Sequence, residues 1–163
     1  MIAQGVLGFQ YEGEERAGGM TALAGLPVYL DLFAAMGLSR SIGRHLRVRP
    51  TQGWSDAQLV SALVLLNLAG GQLPSWNFGA NAAWWAVMIL SFNLHSAMKR
   101  LALGGDWKTR RLKAIRFALI HLPGRVIRHA RRLVIRLPGN HPAFDVLLDA
   151  RRTIPALAQA PPA

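Results

Sequence analysis

Apolar residues recur at helical spacing through the first half of the chain. In LPVYLDLFAAMG, Val28 and Tyr29, Leu32 and Phe33, and Met36 share one stripe, with Pro27 at a first-turn position and Gly37 as the stop. Ser39 can cap a second short helix through Leu46, with Pro50 beyond it. The strongest start signal lies in GWSDAQLVSALVLLNLAGG. There Ser55 and Gln58 form a capping box, Trp54 can staple onto Leu59, and Asp56 meets the positive end of the helix dipole. Gly70 and Gly71 end that helix. Ahead of all three, the alternating run VLGFQY predicts an edge strand, followed by the Gly-rich polar stretch YEGEERAGGMTALAG. The three helices fit a helix-turn-helix-like module or a plain packing unit, and none of them reads as a basic recognition helix.

The pattern changes after residue 72. From Phe78 to Met98 the chain carries no charge, and Lys99-Arg100 follow. Such a segment is long enough to span a bilayer with a basic cytoplasmic flank. Asn81, Asn93 and His95 are costly there, because hydrocarbon offers them no partner. The same residues also make a buried helix, with Trp84, Trp85, Met88, Phe92 and Leu94 as core and Asn93 hydrogen-bonded. Further on, RFALIHLPGRVIRHARRLVIRLPGN admits two readings as well. As a helix, 125–137 gathers Val126, Ile127, Ala130, Leu133, Val134 and Leu137 opposite Arg125, Arg128, Arg132 and Arg136, and only Ile135 breaks the pattern. As strands, Val126-Ile127 and Val134-Ile135 supply β-branched pairs between two Pro-Gly turns.

Charge sharpens the division. Residues 1–72 balance five basic against five acidic residues, so the whole net charge of +11 arises from 73–163. An excess on one side points to a polyanion, either nucleic acid or anionic lipid. Between Lys99 and Arg136 stand twelve Lys and Arg and a single Asp. The absence of cysteine excludes disulfides and thiolate metal sites and leans towards a reducing compartment. The N-terminus MIAQGVLGFQYEGEE lacks a basic region followed by a long apolar run, so no signal peptide is expected. His45, His95, His121, His129 and His141 have no metal-ligand spacing, and no phosphate-binding glycine loop is present.

GLPVYLDLFAAMGL with RPTQGWSDAQLVSALVLLNLAGG resembles the amino-terminal region of bacterial insertion-sequence transposases of the DDE type, closest to the group called thirteen-eighty. LPSWNFGANAAWW, FNLHSAMKRLAL and KAIRFALIHLPGRVIRHARRLVIRLP resemble the carboxy-terminal region of the same proteins. The resemblance spans residues 20–152 and implies a mobile-element protein acting in DNA transposition and recombination. Family members carry a ribonuclease H-like catalytic core between these regions, whereas here LNLAGGQ runs almost directly into LPSWN. The chain therefore reads as an internally deleted copy, joined near Gly71–Leu73. Intact members would use Mg²⁺ held by three carboxylates. Of the eight acidic residues here, Glu12, Glu14 and Glu15 fall in a loop and Asp31 in the first helix. Asp56 starts a helix, Asp106 sits in a turn, and Asp145 and Asp149 share a helix face. A solvent-exposed role is expected for each, with no catalytic residue, no metal site and no cofactor.

The expected fold is mainly α: an N-terminal three-helix module (1–72), a long apolar helix, and a basic C-terminal region (73–163) with a small β-hairpin. The resemblance favours the hairpin over the helix for 125–137, turning near His129–Arg131 where relatives often carry glycine, after a helix at Arg110–His121. The expected partner is DNA, gripped at its phosphates by Lys108, Arg110, Arg111, Lys113, Arg116, Arg125, Arg128, Arg131, Arg132 and Arg136. The expected location is the cytoplasm, at the nucleoid. Apolar surface left by the deletion, above all AAWWAVMILSF, implies self-association or pairing with an intact transposase. The competing expectation is a small membrane-associated protein, with 78–98 inserted and a basic cytoplasmic tail.

Overall fold

The structure, a computed structural model, describes residues 5–14, 21–48, 53–71, 77–129 and 131–159. Glu15, Pro50, Ala130 and the expected junction at Leu73 lie outside them. The elements run β1 (Phe9–Glu14), α1 (Pro27–Ala35), α2 (Leu38–His45), α3 (Asp56–Leu68), α4 (Phe78–Ala97), α5 (Leu112–Ile115), β2 (Arg125–His129), β3 (Arg132–Pro138) and α6 (Ala143–Gln159). Wide π-helical turns extend α4 over Met98–Leu103 and α5 over Arg116–Ile120, and a short 3-10 turn covers Gly105–Lys108. The protein is mainly helical, with one three-stranded sheet.

Sequence and structure agree closely at two helix ends. Ser55 caps α3, accepting from the Gln58 N–H while the Gln58 side chain takes the Ser55 N–H at 2.8 Å. At the other end Gly70 adopts φ +102°, and the Gly71 and Gly70 amides return to the Leu66 and Asn67 carbonyls at 2.8 and 3.0 Å. That is the paired closure of a left-handed helix stop. Trp54 remains 60% exposed and lines an open groove with Leu30, Phe33 and Leu65, so little of its ring is sealed. The second helix starts earlier than expected. Its N-cap is Gly37 at φ +68°, not Ser39, because the left-handed glycine turns the chain from α1 directly into α2.

The sheet joins the two ends of the chain. Its order is β1-β3-β2, with β2 and β3 an antiparallel hairpin and β1 parallel to β3. The hairpin reading of 125–137 is thus the observed one, and the edge strand begins at Phe9 rather than Val6. Phe9, Tyr11, Ile135 and Leu137 lie on one face of the sheet and enter a core shared with Val28, Leu32, Leu68, Leu119 and Leu147. Residues from both 1–72 and 73–163 therefore build one core. Arg131 holds the hairpin turn at φ +65°, a conformation that costs any side chain other than glycine about 1–2 kcal/mol.

Two expectations for the long apolar segment are corrected. Among the described residues no helix is long and apolar enough to cross a membrane. Polar and small residues dilute α4, and one of its sides packs on α3, where the Ser91 hydroxyl reaches the Val64 carbonyl at 3.5 Å besides its bond to Val87 within the helix. The core face is also narrower than predicted. Trp84 and Leu94 are buried and Met88 is half-buried, but Trp85, Phe92 and Asn93 face outward. A helix packed on one side can bury only one stripe.

Asp31 overturns the expectation of an exposed carboxylate. It and Arg151 are completely buried, with Arg151 Nε donating to Asp31 Oδ2 at 2.7 Å. Arg151 also donates to the Phe9 and Leu7 carbonyls at 2.5 and 2.9 Å, and the Leu7 N–H donates to Asp31 Oδ1 at 2.7 Å. Its guanidinium lies 3.7 Å from the centre of the Phe9 ring. One side chain of α6 thereby ties α1 to the strand entering the sheet. Burial pushes the Asp31 carboxyl above the usual range, opposed by the Leu7 N–H and Arg151. A side chain at Gly5 would place its Cβ 2.0 Å from Asp31 Oδ2, so the clamp also needs a glycine there.

Candidate nucleic-acid interface

The ten basic residues expected at phosphates separate into two groups. Three have work inside the fold. Arg116 donates from Nε to the Leu68 carbonyl at 2.8 Å and from a terminal nitrogen to Asn67 at 3.5 Å. His121 Nε2 lies 3.0 Å from the Ala69 carbonyl. Together they satisfy the carbonyls that α3 leaves open, where a cation also meets the negative end of the helix dipole. Arg125 and Arg136 face each other across the hairpin, a like-charge pair that alone would repel. Strand β1 resolves this. Its parallel register sets Glu12 opposite Arg136, and Glu14 ion-pairs with Arg125 while approaching Arg136 to 3.7 Å. Arg136 Nε contacts Glu12 at 3.2 Å. Glu12 and Glu14, expected in a glycine-rich loop, are therefore strand residues that neutralise part of the basic cluster.

The other seven face solvent. Lys108, Arg110, Arg111, Lys113, Arg128, Arg131 and Arg132 are exposed and make no ion pair with a described residue. Arg110 stacks on Trp107, its guanidinium carbon 4.4 Å from the ring centre, which holds the cation out from the turn before α5. Arg111 and Lys113 crowd the start of that helix, where the dipole favours anions over cations. Folding gives no reason for positive charge at that end.

The hairpin has a further property. Arg128 and Leu133 are paired residues on the core side of the sheet, together with Ile135 and Leu137. Both are nonetheless exposed, and so is Val126 on the same side. The last rungs of β2 and β3 thus run past the helices that cover the rest of the sheet. Arg131 occupies the turn, and Arg132 lies on the opposite face from Arg128. The result is a short two-stranded ribbon with cations on both sides of its tip.

A second basic surface escaped the sequence reading. Helix α2 buries none of its residues completely, turning Leu38 and Ile42 inward and exposing Arg40 and Arg44. Arg47 is exposed just beyond it. The signal was present as an Arg pair four apart, but the balanced charge of residues 1–72 masked it.

The described acidic residues gather at no common site. Asp31 is held by Arg151, Glu12 and Glu14 by arginines, and Asp149 by Arg152 at 2.6 Å. Asp56 accepts the Val48 N–H at 3.0 Å, and Asp106 and Asp145 stand exposed on separate elements. Among the described residues no three His, Asp or Glu gather where a metal ion could be held. His95 is buried, with Nδ1 3.0 Å from the Tyr29 hydroxyl and no partner at Nε2 among the described residues. Burial, then Lys99 and Arg116, lower its pKa to about 4.

The family model described as transposase DDE domain group 1 matches residues 65–159, more than half the chain. The chain belongs to this transposase family. The match covers α4, α5, the hairpin and α6, so the basic ribbon is part of the matched region. No similar protein was found among curated proteins, nor any similar solved structure.

Proposed function

We propose that this member of the DDE transposase family is an internally deleted copy that binds DNA through its phosphates and does not catalyse strand transfer. The observation that carries the reading is the set of seven cations with no ion pair to a described residue, three of them on a ribbon that projects beyond the core. The major groove of B-DNA is about 12 Å wide and accepts a two-stranded ribbon, while arginines along its sides reach phosphate oxygens. Arg128, Arg131 and Arg132 are placed for that contact, with Lys108, Arg110, Arg111 and Lys113 as further phosphate ligands. Arg116, Arg125 and Arg136 are withdrawn from the set, since their charge is already engaged.

Inactivity rests on the carboxylates. In-line strand transfer needs two metal ions bridged by acidic side chains to activate the attacking hydroxyl and stabilise the leaving oxygen. Every described carboxylate here either has a structural partner or stands alone. Mg²⁺ therefore has no assigned site, and no catalytic step is derived through it. The location proposed is the cytoplasm, on the nucleoid, as for a DNA-bound protein.

DNA affinity measured across salt concentrations tests the reading. The log of the binding constant should fall linearly with log salt, at about −0.9 per phosphate neutralised. Arg128, Arg131 and Arg132 changed together to Gln should flatten that slope by about 2.7 if each engages one phosphate. The loss should be equal on unrelated duplexes, because phosphate contacts carry no sequence information. Arg152→Gln is the matched control, an exposed arginine paired with Asp149. A slope that ignores the triple change would remove the ribbon from the interface. Metal-dependent nicking or joining of transposon ends by pure protein would overturn the claim of inactivity.

A further inference from the structure

Helix α4 carries two apolar seams, and the fold covers only one. Trp84, Val87, Ser91, Leu94 and Met98 point into the body and are buried. A second row, Phe78, Ala82, Trp85, Ile89, Phe92 and Ser96, advances in alternating steps of four and three. That is the a/d spacing of a coiled-coil seam. Its large members are exposed: Phe78 by 89%, Trp85 by 58%, Ile89 by 59% and Phe92 by 64%. Together they leave on the order of 500 Å² of apolar surface in water, at the size where an exposed patch marks an interaction site.

We propose that this seam pairs with the same seam of a second copy, as an antiparallel two-fold helix pair centred between Trp85 and Ile89. The side-chain volumes specify the arrangement. About that centre Phe78 meets Ser96 of the other copy, Ala82 meets Phe92, and Trp85 meets Ile89. Each large ring faces a small or aliphatic partner, so knobs and holes match along the helix. Parallel pairing would instead oppose Phe to Phe and Trp to Trp, leaving Ala and Ser layers underfilled between them. Charge selects the same solution. The seam is uncharged on a molecule of net charge +11, so it is a face on which two copies can meet with no like charges in direct contact. Antiparallel pairing carries Lys99 and Arg100 to opposite ends, whereas parallel pairing would set them side by side. Two such faces bury roughly 1,000 Å², about the minimum for a specific interface, so the dimer is a reversible one. This inference does not depend on DNA binding and is tested without DNA.

Sedimentation of the whole chain at rising concentration should show a monomer–dimer equilibrium. Trp85→Lys or Ile89→Glu alone should shift it towards monomer by tenfold or more, since each puts a charge against an apolar partner. Combined in one chain, Trp85→Lys and Ile89→Glu should restore the dimer, because the antiparallel register places each Lys opposite a Glu. The chain has no cysteine, so an introduced one reports a single position. An Ala82→Cys chain mixed with a Phe92→Cys chain should form the mixed disulfide in preference to either homodimer. A wild-type chain that stays monomeric to high concentration would overturn the proposal. So would preferential Ala82→Cys homodimers, or a double variant no better paired than the single ones.

Discussion

Removing either half of the Asp31–Arg151 pair should destabilise this protein more than any surface change. In Asp31→Asn the Arg151 guanidinium keeps the Leu7 and Phe9 carbonyls and the Phe9 ring but loses its counter-charge in a site with no solvent access. Leaving one buried charge unpaired costs about 3–5 kcal/mol. The whole folded state of such a domain is worth only about 5–15 kcal/mol, so the variant stands near the limit of folding. With a urea dependence of about 2 kcal/mol per molar, the midpoint should fall by about 1.5–2.5 M, read from tryptophan fluorescence. Arg151→Met should cost a similar amount. The double variant should cost less than the sum of the two by at least about 1 kcal/mol, because no unpaired charge then remains. A cost below 1 kcal/mol for Asp31→Asn, or strict additivity in the double, would refute the clamp. Arg151 lies outside the basic cluster in sequence, yet its loss threatens the whole fold and makes it unfit as a neutral control for DNA binding.

Arg131→Gly should relieve the left-handed strain at the hairpin turn, stabilising by about 1 kcal/mol and raising Tm by about 2–4 °C in calorimetry. It should also weaken DNA binding by removing one cation. Ser55→Ala should remove the cap of α3 and cost about 1 kcal/mol in urea unfolding, whereas Ser39→Ala, which caps nothing, should cost little. His95, neutral in the fold with a pKa near 4, must take up a proton on unfolding below its ordinary 6.5. Stability should therefore fall by roughly 3 kcal/mol as pH drops from 6.5 towards 4. His95→Gln should flatten that part of the profile, and an unchanged slope would exclude His95 as its source. Arg116→Gln should lower stability by about 1.5–3 kcal/mol through the lost charged hydrogen bonds to α3, while leaving the salt slope of DNA binding unchanged.

Local signals were the legible part of the sequence. The capping box at Ser55 and Gln58, the Gly70-Gly71 stop and Pro27 in the first turn of α1 each act within a few residues, so their chemistry is complete in the string. The hairpin needed more. Periodicity over 125–137 suits a helix, because Val126, Ile127, Leu133 and Val134 satisfy both periods, and only tertiary pairing decides. That pairing comes from β1, over a hundred residues away, which adds its own strand beside β3. The same distance hid the ion pairs. Nothing near Glu12 or Glu14 announces Arg136 or Arg125, and nothing near Asp31 announces Arg151. Composition correctly located the excess charge, but it could not say which arginines were already spoken for.

Sorting those arginines changes what the charge means. A run of twelve cations reads as one surface in sequence, yet the fold assigns Arg116 to a helix end and Arg125 and Arg136 to a ladder of opposite charges. What remains has no ion pair among the described residues and stands where the fold gives no reason for it: at the tip of a ribbon, and at the start of a helix whose dipole repels it. Cations so placed are open to an outside anion, so their placement supports the proposed DNA contact in a way that their number does not. The seam on α4 supports a parallel argument from the apolar side. Its period and its volumes are those of a helix pair, while its exposure costs the isolated chain. If both surfaces are filled, two copies joined at α4 present two ribbons to one DNA. Linked sites then raise avidity by the effective concentration of the second ribbon, without any new contact. The seam variants distinguish this from independent binding. Trp85→Lys should weaken retention on long duplexes that hold two ribbons and leave affinity for a short duplex, which holds one, unchanged.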